Sequence, residues 1–159
     1  MKVLIISDTH RRLDNFEKVL QITPSIDYLV HCGDVCGEDD WVAAMAGCPT
    51  TIVRGNCDWG SDLDRTAVVE LGGHRAFVAH GDAYHVSYDL EELAEAAKEN
   101  GCSIAFYGHT HIPSIKNVNG VTCVNPGSLT NPRQDGRQPS YAVMTIDCNG
   151  NVMFTINYL

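Results

Sequence analysis

Ile104-Ala105-Phe106-Tyr107-Gly108-His109-Thr110-His111-Ile112-Pro113 is a short apolar run that breaks at a glycine and delivers two histidines before a proline. The run has the length and composition of a buried strand. Gly108 lets the chain turn where the run ends, and Pro113 stops a helix from continuing. The stretch predicts a strand opening into a loop that carries two imidazoles. Neutral imidazole is the commonest protein metal ligand. Taken alone, His109 and His111 fit two surface histidines on a turn equally well. The ends of the other strands decide between the two readings.

Working toward the N-terminus, the same arrangement recurs. Val3 to Ser7 is a wholly apolar β run that ends at Asp8-Thr9-His10. Leu13, Phe16, Val19 and Leu20 are spaced for one helical face over Leu13–Gln21, which Pro24 closes. Tyr28 to Cys32 is a second apolar strand, ending at Gly33-Asp34, and Trp41 to Met45 reads as a short helix. Thr50 to Val53 is a third strand, ending at Arg54-Gly55-Asn56-Cys57-Asp58. Strand, helix, strand, helix, strand is the signature of a parallel, helix-covered sheet.

The rhythm then changes. Ala67–Leu71 and Arg75–Ala79 read as a hairpin turning at Gly72-Gly73, and the second strand ends at His80-Gly81-Asp82. Leu90 to Asn100 is an amphipathic helix that Asn100-Gly101 stops. Beyond the histidine loop the chain is β-rich: Ser114–Asn117, Val121–Val124, Tyr141–Asp147 and Val152–Asn157. Asn119-Gly120 and Asn149-Gly150 are predicted two-residue hairpin turns. No repeat, low-complexity tract or linker divides residues 1–159, so a single domain is expected, long enough to bury a substantial core.

Composition narrows the function classes. The chain is 44% hydrophobic and 19% charged, which is ordinary for a globular protein. No apolar run approaches the length of a membrane span, so no membrane association is expected. Met1 to Ile6 is too short an apolar run for a signal peptide. The formal charge of −9 disfavours a stable complex with nucleic acid, which needs a basic face. It leaves room for a small phosphorylated substrate, because bound cations can neutralise the site. The seven cysteines are odd in number and hold no C-x-x-C pair, which points to reduced thiols in a cytoplasmic protein.

The strand ends together deliver Asp8, His10, Asp34, Asn56, His80, His109 and His111. Ligand sites of open α/β sheets gather at the carboxyl ends of strands. Each acid or amide here also fits a turn or helix-capping residue, and His80 fits a histidine hydrogen-bonded beside a turn. Their convergence is what favours a site. The set exceeds what one ion takes from protein while leaving a reactive position open, so two ions are expected. Mixed carboxylate and imidazole ligands suit Mn²⁺ first, with Fe, Zn²⁺, Ni²⁺ or Co²⁺ as alternatives to it, and suit Ca²⁺ less well.

Asp8-x-His10, Gly33-Asp34, Gly55-Asn56-x-Asp58, His80-Gly81 and Gly108-His109-x-His111, in that order, resemble the five blocks of calcineurin-like metallophosphoesterases. The small size, Gly55-Asn56-Cys57-Asp58 and Asn125-Pro126-Gly127-Ser128 resemble the YfcE-like phosphodiesterase branch over nearly the whole chain. The resemblance implies a four-layer α/β/β/α sandwich, two mixed sheets flanked by helices, with a dimetal site at one edge. It implies that Asp8, His10 and His111 hold one ion, that Asn56, His80 and His109 hold the other, and that Asp34 bridges them. The implied reaction is hydrolysis of a phosphodiester by a metal-bound hydroxide attacking phosphorus in line.

Catalytic roles would fall to Cys57, Asp58, His80 and His109, with Asp58 orienting a ligand or partner group. Substrate contacts would fall to Asn56, Cys57, Asn125 and Ser128. Asn125-Pro126-Gly127-Ser128 also fits a plain turn. Many members of the wider superfamily carry His where this chain has Cys57, and a thiol is a weaker hydrogen-bond donor. Asp82 stands where the branch often has another His. His74, His85 and Arg133 read as surface residues. The resemblance also suggests a homodimer or larger homo-oligomer. A phosphomonoesterase and a noncatalytic metal-binding scaffold are the alternative functions.

Overall fold

The computed structural model describes residues 1–159. Its elements are β1 (Lys2–Ile6), α1 (Asp14–Ile22), β2 (Tyr28–His31), α2 (Asp39–Ala46) and β3 (Thr50–Ile52), then β4 (Thr66–Leu71), β5 (His74–Ala79) and a 3₁₀ turn at Asp82–Tyr84. They continue with α3 (Glu91–Glu99), β6 (Ile104–Phe106), β7 (Ser114–Val118), β8 (Val121–Asn125), β9 (Ser140–Ile146) and β10 (Val152–Tyr158).

Two strands explain the layering. Successive side chains of a strand point to opposite faces, so an apolar run without polar alternation needs cover on both sides. In β1, Val3 and Ile5 enter a core shared with Phe106 and Val124. Leu4 and Ile6 enter another core against Phe16 of α1 and Val42 of α2. β6 mirrors this: Ile104 and Phe106 face the shared core, and Ala105 faces Leu93, Ala94 and Ala97 of α3. The result is α1 and α2, a sheet, a second sheet, and α3, the predicted four-layer sandwich.

The sheet orders are β10-β9-β1-β2-β3 and β4-β5-β6-β8-β7. Both sheets are mixed. β1, β2 and β3 run parallel, with β9 antiparallel to β1. β5, β6 and β8 run parallel, with β4 and β7 antiparallel at the edges. The parallel strands of both sheets end toward one rim, and the loops there carry the candidate ligands.

Local signals account for most boundaries. α3 ends in a Schellman pattern, with Cys102 N–H donating to Ala97 O and Gly101 N–H to Lys98 O, both at 2.8 Å. Asn119 and Gly120 both take positive φ, 51° and 86°, as a two-residue turn between paired Val118 and Val121 demands. The Asn149-Gly150 expectation needs correction. The turn is one step earlier, closed by Gly150 N–H donating to Asp147 O, and only Gly150 has positive φ, at 83°. Asp147 draws the chain in by accepting from the backbone of Asn149 and Asn151 and from the Asn151 amide. β3 also stops at Ile52, one residue short of expectation. No helix is long and apolar enough to cross a membrane.

Candidate metal centre

All seven predicted ligands lie on the loops leaving the parallel strands, and five of them pay a conformational cost to be there. Asp8, His10, Asp34, His109 and His111 have φ of 56°, 43°, 58°, 65° and 59°. Left-handed backbone in a non-glycine residue is unfavourable by roughly 1–3 kcal/mol where surrounding structure enforces it, and it concentrates at functional sites. The enforcing contacts are backbone hydrogen bonds between loops. Asp8 N–H donates to Gly33 O and His10 N–H to Asp34 O, each at 3.0 Å. Gly108 N–H donates to His80 O at 2.9 Å. Two glycines permit this crowding. A Cβ on Gly55 would collide with Asp34 Oδ1, and one on Gly108 with Ser7 Oγ.

The ligand atoms form two groups. In one, His111 Nε2 lies 3.1 Å from Asp8 Oδ1, and His10 Nε2 lies 3.8 Å from the same oxygen. In the other, Asn56 Oδ1 lies 3.1 Å from His80 Nε2 and 2.9 Å from His109 Nδ1. Asp34 stands between them. Its Oδ2 is 3.9 Å from His10 Nε2 and 3.5 Å from His80 Nε2. Its Oδ1 accepts from Cys57 N–H at 2.7 Å. The two loop histidines therefore part company, His111 toward Asp8 and His109 toward Asn56.

The donor chemistry fits bound cations. His80 Nδ1 is 2.8 Å from Cys32 O, and His111 Nδ1 is 2.7 Å from Asn131 O. A carbonyl only accepts, so each Nδ1 carries a proton and each ring turns Nε2 toward the centre, where the neutral form that binds a metal presents a lone pair. Those lone pairs face Asn56 Oδ1 and Asp34 Oδ2 on one side and Asp8 Oδ1 on the other. Acceptors so close need positive charge between them. Both Asp8 carboxylate oxygens and His10 Nε2 are buried with no well-directed hydrogen bond, a costly state for isolated groups and the ordinary one for metal ligands. Burial opposes the Asp8 charge, yet the neighbouring His111 and His80 hold its carboxyl below the usual value. Burial likewise opposes charge on His111, and Asp8 raises it above the ordinary histidine value.

Other expected site residues take varied positions. Asp58 is buried and accepts from the backbone N–H of Asp34, Cys36 and Gly55 at 2.9, 2.6 and 2.7 Å. It ties the β2 and β3 loops together. Cys57 is half-buried, and its sulfur lies within 4.8 Å of ligand atoms of His10 and Asp34. Burial and Asp34 push its thiol up to about 12, so it is protonated at neutral pH.

Asn125 and Ser128, expected to touch substrate, are fully buried and spent on backbone. Asn125 donates to Gly108 O at 2.8 Å, and Ser128 donates to Asp8 O at 2.9 Å. They brace the strained loops. Asp82 faces Arg65 at 3.8 Å, His85 pairs with Glu92 at 3.0 Å, and His74 reaches Gly150 O, all outside the ligand cluster.

The sequence reading missed two supports. His31 is fully buried, its Nδ1 accepting from Gly33 N–H at 3.2 Å and its Nε2 therefore donating to Thr9 Oγ1 at 3.0 Å. Thr130 Oγ1 donates to Thr9 O at 2.8 Å. A polar residue closing the apolar run Tyr28 to Val30 was the available signal for His31.

Comparison with known proteins follows the same blocks. Residues 1–149 match the family described as the calcineurin-like phosphoesterase superfamily domain. A probable metallophosphoesterase, YsnB of Bacillus subtilis, is 31% identical over 148 residues, covering 92% of this chain and 85% of that protein. Phosphodiesterase YfcE of Escherichia coli is 28% identical over 173 residues, covering 92% and 89%. Among solved structures, a conserved uncharacterised protein of Streptococcus pneumoniae, described as a predicted phosphoesterase, superposes with TM-score 0.82 at 27% identity over 99% of this chain and 88% of that one. A single mutant of Vps29 from Entamoeba histolytica superposes with TM-score 0.79 at 25% identity over 100% and 99%.

Proposed function

The chain belongs to the calcineurin-like phosphoesterase superfamily, and from that premise we propose that it is a metal-dependent phosphodiesterase acting on a small phosphoester. The observation that carries this reading is the rim of unpartnered ligand atoms. Asp8 is fully buried with neither carboxylate oxygen well hydrogen-bonded, and imidazole lone pairs converge beside it. Asp8, His10 and His111 would hold one divalent ion, and Asn56, His80 and His109 the other, with Asp34 shared. Mn²⁺ is the first choice for this mixed oxygen and nitrogen set. Bound ions of this kind polarise a phosphoryl oxygen and make water a competent nucleophile at neutral pH.

The chain's own residues supply the rest. Cys32 O and Asn131 O fix the His80 and His111 tautomers. Asp58 locks the β2 and β3 loops in mutual register, and Asn125 and Ser128 hold the strained ligand loops from behind. The Cys57 sulfur lies at the edge of the centre, where its protonated form would donate a weak hydrogen bond to a departing oxygen.

The test is turnover of bis-p-nitrophenyl phosphate by protein loaded with Mn²⁺, with metal content measured on the same sample. A higher rate on that diester than on p-nitrophenyl phosphate supports a diesterase, and the reverse makes it a monoesterase. The likeness to Vps29 motivates a second reading, a noncatalytic scaffold on this fold. Folded protein carrying two ions with no turnover on either compound would favour it.

A further inference from the structure

A cleft of about 670 Å³ opens beside the metal centre, with His10 and Cys57 at its inner end. That volume is the size that seats a compact organic ligand. On its wall stands Trp59, with 88% of its surface exposed. An indole exposed to water makes no contribution to the core, yet the backbone that presents this one is fixed. It occupies the corner of a turn closed by Ser61 N–H donating to Asp58 O, with Gly60 at φ 73° as the following residue. The base of that turn is the buried Asp58 carboxylate, which grips the backbone of Asp34. The backbone of Trp59 is thus tied through Asp58 to the Asp34 loop.

The cleft is also lined by Arg11, whose Nε donates to Cys36 O at 2.7 Å, leaving its terminal nitrogens for a ligand. It is the one Lys or Arg lining the cleft, and it shares that lining with Asp39 and Asp62. A second phosphate placed here would meet these two carboxylates, and the buried Asp58 behind them, for one guanidinium.

Resting on the phosphodiesterase reading, we propose that this cleft receives one arm of the substrate and that Trp59 selects phosphodiesters whose arm is a planar, uncharged group of nucleoside size. The indole stacks on the arm's ring, Arg11 faces the ester oxygens, and Asp39 and Asp62 accept from ring amines while turning away polyphosphates. Every nucleobase offers a π-face, and stacking on an aromatic side chain is sequence-tolerant.

The experiment has two readouts. In a Trp41→Phe background Trp59 is the sole tryptophan. Adenosine 5′-monophosphate should quench its emission saturably in Zn²⁺-loaded protein. Ribose 5-phosphate should not quench, and adenosine 5′-diphosphate should bind several-fold more weakly. Separately, Trp59→Ala should raise KM for bis-p-nitrophenyl phosphate about tenfold, the size of one stacking contact, with kcat within about twofold, and Trp59→Phe should restore most of the affinity. Equal quenching by ribose 5-phosphate, or none by the nucleotide, overturns the proposal. Quenching without the KM change overturns it too, because the ring would then bind outside the reactive pose. If the wild-type protein turned over no phosphoester, the phosphodiesterase reading would fall and the quenching titration alone would judge the cleft.

Discussion

The two halves of the candidate metal centre are built from different materials. The Asp8, His10 and His111 half contains a full carboxylate at 0% exposure, with His111 at 5%. It is floored by His31 and braced by Ser128 and Thr130. The Asn56, His80 and His109 half offers a neutral amide in place of the carboxylate, and Asn56 is exposed. His80 is as buried as His111, so the contrast lies in charge and in the exposure of Asn56. With two ions bound, the carboxylate half would be the tighter site and the amide half the one that exchanges. Asp34 is the only anion the second half shares.

The largest effect is expected at Asp34. Asp34→Asn removes the one carboxylate facing both halves. It should cost at least about a hundredfold in activity, with both ions depleted in elemental analysis. Single-half substitutions come next. His111→Ala should chiefly empty the Asp8 half and His109→Ala the Asn56 half, each leaving about one ion per chain. If crystals of both variants lacked the same ion, the division would be wrong.

A smaller effect concerns order. Titrating a chelator into the loaded protein should remove one ion before the other. The ion retained should be the one His111→Ala cannot hold. Removal of both in a single step would erase the asymmetry. Ser128→Ala, which releases the Asp8 carbonyl, should lower metal affinity by about tenfold and leave the Asn56 half untouched.

His31 provides the gentlest probe. Burial pushes it down to about 4, whereas the unfolded chain protonates it near 6.5. The unfolded state therefore binds the proton first. The stability His31 supports is complete above about pH 6.5 and declines as pH falls toward 4, by an amount on the order of 3 kcal/mol. Thermal melts of metal-free protein should show this decline, and His31→Gln should flatten that part of the profile.

Much of this molecule was legible as sequence. β1 and β6 announced themselves as apolar runs without polar alternation, and that pattern means burial on both faces whatever the partner. The ligands were legible because each followed a strand end directly. What escaped was the use made of polar atoms at long range. Asn125 and Ser128 sat in a motif that suggested substrate contact, yet their side chains reach Gly108 and Asp8, residues 17 and 120 positions away. Asp58 gave no sign that it would hold three backbone amides of two loops. The Asn149-Gly150 turn moved because Asp147 competed for the backbone, a local contest that dipeptide preference does not resolve.

The sequence by itself determined the alternation of strands and helices, the double burial of the central strands, and the residue types able to bind metal. Those are properties of periodicity and of side-chain chemistry, and both are written locally. Spacing alone put His109 and His111 on one loop, and the resemblance implied that they part; the tertiary structure supplies the physical reason why they face different groups of ligand atoms. Left-handed backbone at His109 and His111, either side of Thr110, turns the loop so that one ring meets Asp8 and the other Asn56, both on loops of the first sheet. That separation depends on where two sheets lie against one another, and distances between strands remote in the chain are set by packing.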